Sequence, residues 1–170
     1  MSCCGCKGTY EKKILATHLS GQICVNCNVI SFTLSDYLYY LSRKESMDDK
    51  FGNDYVIEED TKRAMICNCG SIMNKYRINH ESERRVDYCH ACQAICLDKG
   101  EWEYLNKNNL HRCINKIFTS SYQRDLRHKR TKAVLNNNYE EQFGAKDYKQ
   151  IKEIRDWKYQ FKKRDVNSVH

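Results

Sequence analysis

The chain has 170 residues, a formal net charge of +7, eleven cysteines, seven glycines and no proline. No run of 18 apolar residues occurs, which excludes a transmembrane helix of ordinary length. Met1 to Tyr10 is polar and holds no apolar stretch of the secretory kind, so a cytoplasmic chain with reduced thiols is expected. The absence of proline and the abundance of asparagine fit a low-GC bacterial or phage genome. The charge is uneven: residues 1–118 carry 16 Lys and Arg against 15 Asp and Glu, whereas residues 119–170 carry 13 against 7.

One cysteine pattern occurs twice. Cys4-Gly-Cys6 precedes Cys24-Val-Asn-Cys27, and Cys67-Asn-Cys69 precedes Cys89-His-Ala-Cys92. The first pairs start 63 residues apart and the second pairs 65. Close cysteine pairs in a reducing compartment hold metal, and an odd cysteine count argues against a complete disulfide framework. Each module of about 40 residues is too short to bury a self-sufficient core, so a staple is required. All-thiolate tetrads suit zinc. The expected ligands are Cys4, Cys6, Cys24 and Cys27 for one ion, with Cys3 as the alternative to Cys4. For the second ion they are Cys67, Cys69, Cys89 and Cys92. Two structural Zn2+ ions are therefore predicted.

In chain order, residues 1–43 form the first zinc ribbon with its helix. Tyr10, Lys12 and Ile14 alternate with Glu11 and Lys13 as a strand, and Gly21 is read as a turn. Ser35 caps a short helix over residues 36–43. Residues 44–63 form an acidic linker in which Phe51, Tyr55, Val56 and Ile57 could add a strand. Residues 64–118 form the second ribbon and its helix. Ile72, Asn74, Tyr76 and Ile78 share one strand face, and Val86 and Tyr88 lie on the next strand. Asp98 with Glu101 is a capping-box pattern, and Leu105, Cys113, Ile117 and Phe118 give the following helix an apolar side. Residues 119–170 form a basic helical tail. Its last helix, from about residue 147 to 163, repeats Tyr148, Ile151, Ile154, Trp157 and Phe161 every three or four residues and needs a surface to pack on. The fold class expected is a small α+β protein. Its two tandem ribbons are three-stranded antiparallel sheets, each followed by a helix, and a pseudo-symmetric pairing of the two is expected, since neither has much core alone.

Residues 67–105 resemble the bacterial zinc-ribbon family named after transcription factor IIB. Its members carry Cys-Pro-x-Cys-Gly, a short hairpin, then Cys-Pro-x-Cys-x-Gly-x-Trp-Leu-Asp-x-Gly-Glu-Leu. Cys69-Gly70, Cys89, Cys92, Leu97, Asp98, Gly100 and Glu101 match it. Cys96 stands where the family has tryptophan, both prolines are absent, and Cys67-x-Cys69 is one residue short. Residues 3–41 are a degenerate copy, with Asp36-Tyr37 placed as Glu101-Trp102. The resemblance implies zinc binding. Most members have no assigned activity, and the namesake's ribbon docks on a polymerase.

Catalytic signatures are missing. The chain holds no His-x-Glu to accompany a Cys-x-x-Cys zinc, no His-Glu-x-x-His and no Gly-x-Ser-x-Gly. A closed S4 site has no open position for water, so no enzyme is expected. His80 and His90 are alternative ligands near the second tetrad, although exposed loop histidines are the plainer reading. Cys96 and Cys113 read as small core residues. Arg124, Arg127, Lys129, Arg130 and Lys132 are the candidate nucleic-acid contacts, since cations neutralise phosphates. Tyr76, Trp157 and Phe161 lie beside cations and could stack on bases, but the spacing of Trp157 and Phe161 suits burial better. The expected partners are nucleic acid or the transcription machinery. The alternative is an acidic protein surface held by an adaptor or inhibitor, with self-association through the C-terminal helices and no membrane.

Overall fold

Alternation of apolar and polar residues builds six short strands among the described residues, and these strands build one sheet. The computed structural model describes residues 2–43 and 64–167, with side chains as far as residue 158. The linker over residues 44–63 and the side chain of Phe161 lie outside the described residues. The elements are β1 (Tyr10–Ala16), β2 (Leu19–Cys24), β3 (Ile30–Thr33), α1 (Leu34–Ser42), β4 (Asn74–Arg77), β5 (Arg85–Tyr88), β6 (Ala94–Leu97), α2 (Glu101–Lys107), α3 (Ile114–Ile117), α4 (Ser120–Phe143) and α5 (Ala145–Asn167). The strand order is β1-β2-β3-β6-β5-β4, and every neighbouring pair is antiparallel. Two three-stranded meanders are thus joined through β3 and β6 into a single six-stranded sheet. No helix among the described residues is long and apolar enough to cross a membrane.

The register reveals a pseudo-two-fold relation. Ser31 pairs with Cys96, and these positions are 65 apart, the spacing of the repeat itself. Ile30 pairs with Leu97 and Phe32 with Ile95, so the dyad exchanges one pair for the other. The same offset relates Gln22↔Ser31 to Asp87↔Cys96, and Ile23↔Ile30 to Tyr88↔Ile95. On the outer strands, Lys12↔Gln22 corresponds to Lys75↔Asp87. The second hairpin is two residues longer, which accounts for the change from 63 to 65.

One sheet face carries the main core. Ile30, Phe32, Val86, Tyr88, Ile95 and Leu97 pack with Tyr37 of α1 and with Trp102 and Leu105 of α2. Ile114 and Ile117 of α3 close the same cluster. Phe32 meets Tyr37 and Trp102, the repeat-related residues of the two helices, at ring separations of 6.3 and 6.1 Å. Tyr37 is fully buried; its hydroxyl donates to the His111 carbonyl (2.9 Å) and accepts from the Ile114 N–H (3.0 Å). That bridge fixes α3 against α1.

Several local expectations are corrected. Gly21 lies inside β2 rather than in a turn, because Leu15 packs over it; a Cβ there would come within 2.9 Å of Leu15 Cδ1. The turn is Thr17-His18, with His18 left-handed at φ 67°. A register shift between Ile14 and Ala16 turns Leu15 into the core and leaves Ile14 exposed. Helix α1 begins two residues earlier than read, capped by Thr33 in place of Ser35; the Thr33 hydroxyl oxygen accepts from the Asp36 N–H (3.1 Å). At the start of α2 the N-cap is Gly100, not Asp98; the Glu101 carboxylate reaches back to accept from the Asp98 N–H (2.8 Å). The helix after the second ribbon does not run on to Phe118. It ends at Lys107, where Asn109 is left-handed and the N–H groups of Asn109 and Leu110 bond the Asn106 and Leu105 carbonyls, a Schellman closure with asparagine in glycine's place.

The chain divides into two units, one ending at Leu126 and one starting at Arg127. The first seven residues of α4 belong to the first unit. There Tyr122 donates to the Ile78 carbonyl (2.8 Å), and Gln123 bonds the backbone of Arg77 and Ile117. In the second unit, α4 and α5 meet at Gly144, left-handed at φ 80°. Tyr148 donates to Asn136 (2.6 Å), and Lys152 pairs with Glu140 (3.8 Å). Among its described side chains the apolar stripe of α5 is buried at Tyr148 alone; Ile151, Ile154 and Trp157 are exposed, Trp157 by 65%. The expectation that Trp157 fills a helix core is therefore corrected.

On the face opposite the main core, Lys75 donates to the fully buried Asp87 carboxylate at 2.8 Å. Removing one partner of a buried ion pair strands the other charge. Lys75→Met is expected to lower stability by about 3 kcal/mol, read from chemical denaturation of the metal-loaded protein.

Candidate metal centres

Four cysteine turns supply eight sulfurs. Cys3, Cys6, Cys24 and Cys27 form one cluster, and Cys67, Cys69, Cys89 and Cys92 form another, with all four sulfurs of each within 4.8 Å of one another. Each cluster could hold a metal ion. The closest sulfur pairs are 3.5 Å (Cys3–Cys27) and 3.4 Å (Cys6–Cys24) in the first, and 3.3 Å (Cys67–Cys92) and 3.5 Å (Cys69–Cys89) in the second. In both, the hairpin between a meander's first and second strands brings two distant pairs together: β1 and β2 in one half, β4 and β5 in the other.

The turns share a backbone plan. In three of them the N–H of the residue four beyond the first cysteine bonds that cysteine's carbonyl: Lys7 to Cys3 (3.1 Å), Asn28 to Cys24 (2.9 Å) and Gln93 to Cys89 (2.8 Å). Those three residues are left-handed, at φ 66°, 59° and 61°. In the Cys67 turn the bond comes from the third residue on, Gly70 (2.9 Å), at φ 88°. The missing residue of Cys67-x-Cys69 is thus absorbed by a tighter turn, and glycine occupies the left-handed position. Both sulfurs still reach the cluster.

Cys4, the first choice as ligand from sequence, lies outside the cluster, and Cys3 takes the place. Cys3-Cys4-Gly5-Cys6 then has the same two-residue spacer as Cys24–Cys27 and Cys89–Cys92. Cys4 Sγ instead lies 2.7 Å from Cys96 Sγ, 3.3 Å from the Tyr10 hydroxyl and 3.6 Å from Met65 Sδ. His90 is not in a cluster: its Nε2 is 2.6 Å from the Tyr76 hydroxyl. His80 Nε2 sits 3.8 Å from Glu81. Tyr76 is committed inward, with its ring against Tyr88, His90 and Phe118. Cys113 is half-buried and donates to the Leu110 carbonyl (3.3 Å). Arg124, Arg127, Lys129, Arg130 and Lys132 are all exposed on α4.

No protein-family model, curated protein or solved structure matches the chain.

The electrostatics of the clusters bear on what binding must do. Burial pushes the Cys67 thiol up to about 12, and the neighbouring thiols of its cluster add to that rise. Burial likewise raises Cys92. The Ser71 hydroxyl and N–H bond the Cys69 sulfur and bring it down to about 6. In the first cluster burial raises Cys3 and Cys27. At neutral pH the raised thiols keep their protons until an ion displaces them, because only thiolate is a strong ligand. Two equivalents of a divalent ion should therefore titrate the chain and release protons in weakly buffered solution. Affinity should rise with pH across the neutral range and fall in acid. A titration without proton release would contradict this.

The turns make a further prediction. At Gly70 a Cβ would meet nothing within 4 Å, so Gly70→Ala costs only backbone strain, about 1 kcal/mol. Gln93→Gly should act in the opposite direction and by less, since glycine's extra freedom in the unfolded chain offsets the relief. Denaturant midpoints of the metal-loaded variants check both.

Proposed function

We propose that the protein is a non-catalytic recognition factor. Zinc staples each of two ribbons, which pair through β3 and β6 as one sheet, and the basic helix α4 binds nucleic acid within or beside the transcription machinery. The two sulfur tetrads support zinc: four thiolates satisfy its tetrahedral preference and leave no open position for a reacting water. The Leu97-Asp98-x-Gly100-Glu101 ending supports membership of the zinc-ribbon family named after transcription factor IIB. In that ending the Glu101 carboxylate bonds the Asp98 N–H at the start of α2.

The observation that carries the nucleic-acid reading is the first half of α4. Arg124, Arg127, Lys129, Arg130 and Lys132 are exposed, with Asp125 the one acid among residues 120–132. At 3.6 residues per turn these cations are distributed around the helix instead of along one stripe. Such a helix suits a groove walled by phosphates on both sides better than a flat acidic surface. The protein-binding alternative draws on other residues: Val134, Leu135, Tyr139 and Phe143 of α4 and Ile151, Ile154 and Trp157 of α5 are exposed.

Binding of the zinc-loaded chain to duplex and to single-stranded oligonucleotides as salt rises separates the two readings. Five phosphate contacts on a duplex give a slope of log affinity against log salt of about −4.5. Replacing Lys129, Arg130 and Lys132 by glutamine should reduce that slope by about 3. No binding at low salt would leave the protein-binding reading.

A further inference from the structure

Between the two tetrads lies a pair of sulfurs that neither tetrad uses. Cys4 and Cys96 are 4% and 2% exposed, and their sulfurs are 2.7 Å apart. The tetrads give an internal standard, since their closest sulfurs are 3.3 to 3.5 Å apart. An ion with metal–sulfur bonds of about 2.3 Å placed between Cys4 and Cys96 would subtend an angle of about 70°, far from tetrahedral. The pair is too close to share an ion, and nearer to bonding distance than any other sulfurs described here. Both residues also line a cavity of about 630 Å³ on the sheet face opposite the main core, together with Lys12, Gln22, Ser31 and Asn68. That cavity gives a small, uncharged oxidant a route to two otherwise buried thiols.

We propose that Cys4 and Cys96 are a redox-active pair that closes to a disulfide with a small hydroperoxide, while both tetrads keep their metal. One thiol attacks the peroxide O–O bond, giving a sulfenic acid and, from hydrogen peroxide, one water. The other thiol attacks that sulfur and expels a second water. Two thiols and one hydrogen peroxide thus become one disulfide and two waters, with sulfur oxidised and oxygen reduced. The bond joins the first cysteine turn of one repeat to the dyad strand of the other. It would cross-link the two halves at Cys96, whose pairing partner is Ser31. No metal ligand changes, because Cys3 and Cys6 flank Cys4 but direct their own sulfurs into the tetrad.

The test treats the metal-loaded, reduced protein with limiting hydrogen peroxide. Intact mass, non-reducing peptide mapping and metal release to a chromophoric chelator are followed together. The expected first event is loss of two hydrogens, with a Cys4–Cys96 cross-linked peptide and both ions retained. The oxidised form should unfold on the order of 10 °C higher, because the bond closes a long loop. Cys4→Ser and Cys96→Ser should each bind two ions and fail to form the cross-link; if Cys96→Ser does not fold, Cys4→Ser alone decides. Metal release at or before the first loss of hydrogens, or a first cross-link within a tetrad, would overturn the proposal.

Discussion

The pairing of β3 with β6 is the constraint on which the rest of the molecule depends. Either half alone is a three-stranded meander with an unpaired edge and one helix, too small to shield both. Joined edge to edge, the halves share one apolar face, and the residues that fill it come from both repeats: Phe32 and Tyr37 from one, Ile95, Leu97 and Trp102 from the other. Helices α2 and α3 then cover what α1 leaves open. The sulfur clusters act at a different scale. They fix the turns at which each hairpin begins, and hence the register with which each meander presents its inner strand.

Much of this was legible in the sequence because cysteine spacing is a geometric statement. The offsets of 63 and 65 between repeats encode hairpins that differ by two residues, and the register of the sheet reproduces that difference. The helix starts were readable to within about two residues from Ser35, Asp98 and Glu101. Their details were not, because a threonine or a carboxylate can reach the same N–H groups from neighbouring positions. Gly21 misled for a different reason: glycine marks turns, but here it makes room for Leu15 from the adjacent strand. The break after Lys107 depends on Asn109 adopting a left-handed conformation, which an apolar periodicity through Leu105 and Ile117 conceals. The two-residue spacer of Cys3–Cys6 already favoured Cys3 over Cys4; what spacing could not show is that Cys4 meets Cys96, ninety-two residues away. The exposure of Trp157 could not be read from a periodic stripe, since a stripe states what a helix can bury and not whether a surface is present to receive it.

The two repeats differ on the face opposite the main core. Lys75 and Asp87 form a buried ion pair where the other half has Lys12 and Gln22. Asn68 occupies the spacer that holds Cys4 and Gly5 in the other first turn. Asymmetry there is tolerated because the shared apolar face, not this one, sets the sheet. The same face gathers Cys4, Met65, Met73 and Cys96 into a sulfur-rich cluster that borders both tetrads.

A relation that carries position 31 onto position 96 also speaks to origins. A polypeptide of half this length, ending near its first helix, would present the β3 edge to solvent, and the best-fitting cover for that edge would be a second molecule of itself. In such a homodimer one residue must face its own copy across the axis, and no substitution there could be made on one side alone. A single chain that carries both halves is free of that restriction, and serine opposite cysteine is a difference that no homodimer of half-chains could hold.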